Sequence, residues 1–113
     1  AAQIRALFPN SHAFVDRTGK GPTNLAQLKD LLAKERTQGY ASESGSVTLG
    51  HSSVAVAVFD HLGEPIAAIN IVYRDSTISR SDQQVLVDVV KDSARDLTVR
   101  LGGRIPSSIK DRP

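Results

Sequence analysis

The sequence contains no cysteine, no methionine and no tryptophan, and its aromatic residues are two tyrosines and three phenylalanines among 113 residues. Without cysteine there is no disulfide framework, no thiolate metal site and no cysteine nucleophile, which suits a reducing, cytoplasmic setting. No apolar run approaches the roughly 18 to 20 residues that cross a bilayer, so no membrane partner is expected. Charge of one sign is also scarce: 14 Lys and Arg stand against 12 Asp and Glu, a net charge of +2. The bases are spread among the acids rather than gathered on one stretch, which argues against direct nucleic-acid binding by this chain. The opening Ala1-Ala2-Gln3 carries neither an initiator nor a charged-then-apolar leader and reads as the start of a piece of a longer protein. Gly19-Lys20-Gly21 and Gly102-Gly103 lack the strand-to-helix setting and spacing of a phosphate loop and read as turns.

What remains suits one small α+β domain over residues 1–103, followed by a tail at 104–113. Gln3 to Phe8 has helical spacing and stops at Pro9. From His12 to Lys20 the pattern allows at most a short edge strand. Asn24 to Gln38 is the clearest helix, with Asn24 and Gln27 at cap positions, a Leu25, Leu28, Leu31, Leu32 stripe and Gly39 as its stop. The period then changes. Short strands are expected at Tyr40–Glu43 and Ser46–Leu49, followed by a hairpin of Ser52–Asp60 and Pro65–Tyr73. Ser81, with Gln84 three residues on, is the expected cap of a long helix whose buried stripe is Val85, Leu86, Val89, Val90, Leu97 and Leu101.

The hairpin strands are nearly continuous in apolar residues, so the exceptions, Ser53 and Asn70, carry the information. A turn centred on His61-Leu62 sets Ser53 opposite Asn70, His51 opposite Val72 and Ala55 opposite Ala68. Val54, Val56 and Val58 then share a core face, while His51, Ser53, Ala55 and Ala57 share a face of small and polar side chains. Such a face forms the floor of a ligand cavity or is packed by a helix that seats on the alanines. Gly45 and Gly50 let the intervening loop bring Glu43 near His51 and Ser53. Serine, histidine and glutamate are then all at hand, yet no strained nucleophile turn or oxyanion loop accompanies them, and two ligands make a poor metal site. No catalytic residues, metal or cofactor are assigned.

The residues also carry a resemblance. Leu25-Ala-Gln-Leu28, Leu32-Ala-Lys-Glu-Arg-Thr-Gln-Gly39-Tyr40-Ala41, Gly50-His-Ser-Ser-Val54-Ala55-Val-Ala-Val-Phe-Asp60, Gly63-Glu-Pro65-Ile-Ala67-Ala68-Ile69-Asn70 and a closing helix ending Leu101-Gly102 follow one another in an order that resembles the effector-binding domain of IclR-type bacterial transcriptional regulators. The resemblance runs from about Ile4 to Gly102. It implies a GAF-like sheet flanked by helices that binds a small organic acid or aromatic metabolite, within a homo-oligomer, dimer or tetramer. Operator DNA would be bound through a winged helix-turn-helix that lies outside this chain, together with the opening part of the effector domain. Carried over by position, its ligand contacts fall on Glu43, His51, Ser53, Asn70 and Val72. The family often has consecutive acids after the Gly-Tyr pair, whereas Glu43 is followed here by Ser44-Gly45-Ser46. The resemblance implies a sensor and no enzyme; the alternative is a GAF-like or other interaction and oligomerisation module without a small-molecule ligand.

Overall fold

In the computed structural model, residues 2–106 are described. Three α-helices, α1 (Ala2–Leu7), α2 (Leu25–Gln38) and α3 (Arg80–Arg100), accompany three strands, β1 (Ala41–Ser44), β2 (His51–Phe59) and β3 (Pro65–Arg74). The strands form one antiparallel sheet in the order β1-β2-β3. α3 packs across one face of β2 and β3, and α2 touches the sheet at β1. The arrangement is the expected α+β one.

The β2–β3 hairpin is closed by Asp60. Its carboxylate accepts from the backbone N–H of Leu62 at 2.9 Å and of Glu64 at 3.0 Å, and Gly63 supplies the left-handed residue at φ 77°. This turn pairs Phe59 with Pro65, one residue away from the expected register, and a bulge between Val58 and Phe59 adds a second. Ser53 therefore lies opposite Val72, His51 opposite Arg74, and Ala55 opposite Asn70, correcting the pairing expected from the turn. Because side chains alternate with period two, a shift of two residues leaves every residue on its expected face.

The bulge has a second consequence. It releases the Phe59 N–H from the ladder, and the buried Thr98 hydroxyl of α3 accepts it at 3.2 Å. Gly103 then passes so close that a Cβ there would lie 2.0 Å from the Phe59 carbonyl oxygen, so only glycine fits.

The core is small: Val54, Val58 and Phe59 of β2 against Val87, Val90 and Ala94 of α3. Ile69, Ile71 and Tyr73 of β3 pack around it. The α3 stripe differs from the expected one. Val87, Val90, Ala94 and Thr98 are buried, Leu86 and Leu97 are half-buried, and Val85, Val89 and Leu101 are 58%, 49% and 54% exposed. A single helix on a three-stranded sheet buries one row, and small residues win it where the helix lies close to the bulge. The N-cap is Ser79, whose hydroxyl accepts from the Asp82 N–H at 3.2 Å; Ser81 lies inside the helix.

Asn24 caps α2 as expected, accepting from the Gln27 N–H at 2.9 Å, and Gly39 ends it at φ 83°. Its leucine stripe is covered only in part: Leu25, Leu28 and Leu31 are half-buried and Leu32 is exposed. No strand forms within 12–20, where the pattern allows at most a short one, and the strand expected at 46–49 does not form. A short 3₁₀ turn, Ser11–Ala13, occupies the first, and the second is a series of bends. Hydrogen bonds from side chains replace the ladder there, including Arg17 Nε to the Val47 carbonyl at 3.3 Å, the Thr18 hydroxyl to the Gly45 carbonyl, and the Ser46 N–H to Glu43 at 3.0 Å. Of the expected tail, Arg104 binds back to the hairpin, its N–H donating to the Asp60 carbonyl at 2.8 Å.

Candidate functional site

The sheet face turned away from α3 is built from three short rows. Glu43, Ser53 and Val72 lie side by side across β1, β2 and β3; Ala41, Ala55 and Asn70 form the next row; and His51 stands beside Arg74. All five residues singled out in the sequence thus share one face. Glu43, His51 and Ser53 are half-buried, Asn70 is exposed and Val72 is 62% exposed.

Local chain geometry positions the acid. The β1–β2 connection closes through the Gly45 N–H, which donates to the His51 carbonyl at 2.9 Å, with buried Gly45 at φ 72° and its Cα side turned to the Lys20 side chain. This turn directs Glu43 along the face. Its Oε1 accepts from the Ser53 hydroxyl at 2.9 Å and its Oε2 from the Ser46 N–H at 3.0 Å. His51 is occupied differently, with its Nδ1 3.4 Å from the Leu49 carbonyl. Serine, histidine and glutamate are therefore neighbours without being wired as a nucleophile relay, because the Ser53 proton goes to a carboxylate rather than an imidazole. Among the described residues no group of three metal-ligating side chains occurs.

Further along the face is a cavity of about 290 Å³, lined by Ala55, Ala57 and Ala68 on the sheet and by Gly39, Tyr40 and Ala41 where α2 passes into β1. Glu35 and Arg36 of α2 also border it. A second cavity, about 360 Å³, joins Glu43 and Ser46 to Lys20, Gln27 and Leu31. On the opposite sheet face a third, about 350 Å³, lies between Ser42, Ser44, Ser52 and Tyr73 of the strands and Arg80 and Gln83 of α3. Sequence reasoning found the small-residue floor but missed two cations near it. Arg74 shares the face by the same two-residue alternation as Asn70 and Val72, one residue past the expected end of the strand, and comes beside His51 through the shifted register, while Lys20 borders a cavity with Glu43 because the irregular segment before α2 folds against the β1–β2 turn. No local pattern in the sequence signals Lys20.

Comparison with known proteins agrees with this architecture. Residues 1–99 match the family model described as bacterial transcriptional regulator IclR C-terminal. The chain is 33% identical over 92 residues to the acetate operon repressor of Salmonella typhimurium, covering 81% of this chain and 32% of that protein. It is 30% identical over 84 residues to the HTH-type transcriptional repressor AllR of Escherichia coli, covering 72% and 31%. It therefore spans about a third of the length of these relatives. Among solved structures, the Agobacterium tumefaciens repressor BlcR superposes with a TM-score of 0.81 at 27% identity, covering 89% of this chain and 41% of that one. The C-terminal domain of the E. coli transcriptional regulator KdgR shares the fold, with a TM-score of 0.79 at 24% identity over 89% of this chain and 61% of that one. These neighbours fit the α+β, GAF-like reading, and the relatives are regulators rather than enzymes. The chain belongs to the IclR family of bacterial transcriptional regulators and represents part of their C-terminal domain.

Proposed function

We propose that this domain is the metabolite-sensing part of a cytoplasmic transcriptional regulator. A small organic acid or aromatic metabolite binds on the open sheet face, contacting Glu43, His51, Ser53, Asn70 and Val72. Binding changes how the subunits of a homo-oligomer, dimer or tetramer, hold operator-binding domains that lie outside this sequence. The observation that supports this reading most directly is the Glu43–Ser53–Val72 row. It sets a hydrogen-bonded polar pair on an uncovered sheet face beside an apolar cavity of about 290 Å³.

Amide chemical shifts of this chain, followed during titration with small carboxylates and aromatic acids, test the reading. Saturable shifts confined to residues 41–55 and 68–74 are the expected result. Ser53→Leu adds volume on the uncovered side of the sheet, so it abolishes those shifts while leaving the fold in place. A second reading is favoured by one observation: Ile66 and Val72 are 55% and 62% exposed along β3, an edge strand of the sheet among the described residues. In that case the face and edge form a subunit contact without a small-molecule ligand, no compound perturbs the face, and the same amides shift with protein concentration instead.

A further inference from the structure

The hydrogen bonds around Glu43 decide which ligand chemistry the face accepts, and this inference rests on the sensing role proposed above. Glu43 as a carboxylate accepts hydrogen bonds and donates none. The Ser53 hydroxyl has one proton, and it is committed to Glu43 Oε1 at 2.9 Å. Toward the open face the pair therefore presents lone pairs: those of the Ser53 oxygen and the remaining ones of both carboxylate oxygens, of which Oε2 already takes the Ser46 N–H at 3.0 Å. A ligand carbonyl or carboxylate oxygen placed on this pair meets acceptor against acceptor. A ligand hydroxyl or ammonium completes it with a charge-assisted hydrogen bond.

An acid end has other places to go. Arg74 stands beside His51 on the same face, and Lys20 borders the neighbouring cavity with Glu43. The apolar floor of Ala55, Ala57 and Ala68 suits the body of the ligand. We infer that the effector of this domain carries a hydroxyl or amino donor that binds Glu43, so that the site selects a hydroxy or amino acid over the corresponding keto acid.

Mandelate and phenylglyoxylate test this directly, because they share the ring and the carboxylate and differ only in a hydroxyl against a ketone. Amide titration of the chain is expected to show mandelate binding at least about tenfold more tightly, a difference of ~1.4 kcal/mol. Its largest shifts are expected at Glu43, Ser46 and Ser53. In Glu43→Gln the side-chain amide can donate to a ketone, so the preference narrows to within about threefold while the dispersed spectrum of the folded chain is kept. Equal binding of the two compounds to the native chain on this face overturns the donor requirement alone, as does a preference that survives Glu43→Gln unchanged. Absence of any shift on the face, with either compound or with phenylacetate, overturns the sensing site and the donor requirement together.

Discussion

Asp60 shows how one side chain couples turn chemistry to acid stability. The backbone N–H of Glu64 is the main cause of its lowered pKa, with the Leu62 N–H and the neighbouring His61 acting in the same direction and partial desolvation opposing them. A carboxyl whose folded value lies below its ordinary 3.8 contributes stability in full above that pH and loses it as pH falls through the folded value. Thermal melts of the native chain and of Asp60→Asn, recorded from pH 5 downward, are expected to converge as pH drops below 3.8, because the neutral amide keeps an acceptor but has no such titration. Parallel curves across that range would assign the acid sensitivity to other carboxylates. The residue scale was also where the sequence spoke most clearly about the site. Ser53 and Asn70 stood out as polar exceptions in apolar strands, Glu43 was expected beside them through the Gly45 and Gly50 loop, and the common face of Ser53 and Asn70 survived a register error because two steps along a strand return a side chain to the same side. Arg74 follows the same alternation but lies one residue past the expected end of its strand, and Lys20 could not be found that way, since its placement depends on an irregular loop.

Among the elements, α3 separates hydrophobicity from burial. Sequence periodicity merged two adjacent rows into one stripe, and the sheet, only three strands wide, selects between them. Val90, at 1% exposure, belongs to the selected row, and Val85, at 58%, does not. Val90→Ala is expected to cost about 2 kcal/mol, from two lost methyl groups and the cavity left behind. Val85→Glu is expected to stay within about 0.5 kcal/mol. Urea denaturation of both variants checks the contrast, and comparable losses would place both residues in one core. Caps were legible in proportion to their local chemistry: Asn24 and Gly39 bound α2 as expected. The start of α3 was misplaced because Ser79 and Ser81 offer the same hydroxyl and only the backbone angles distinguish them. The hairpin was legible from its composition. The segments at 12–20 and 46–49 were not, because side-chain bonds from Arg17, Thr18 and Glu43 hold the backbone away from a ladder.

At the scale of the molecule, the extents of 39 × 39 × 19 Å and the Cα radius of gyration of 15.2 Å describe a flat body. A compact chain of this length has a radius near 13 Å. The flatness follows from α3 covering one side of the sheet while the side bearing Glu43 and Ser53 remains open. A ligand on the open side binds the folded chain and not the unfolded one, so it stabilises by mass action. At about one hundred times its dissociation constant the gain is ~2.7 kcal/mol. Differential scanning calorimetry with mandelate is expected to show a rise in Tm on the order of 10 °C that Ser53→Leu eliminates. A rise that persists in Ser53→Leu would move the binding away from this face.

The bond from the Arg104 N–H to the Asp60 carbonyl fixes where the chain leaves the sheet: beside the β2–β3 turn, six residues along β2 from Ser53, or roughly 20 Å at ~3.3 Å per residue. A fluorophore attached at position 104 therefore sits at the end of the sheet remote from Glu43.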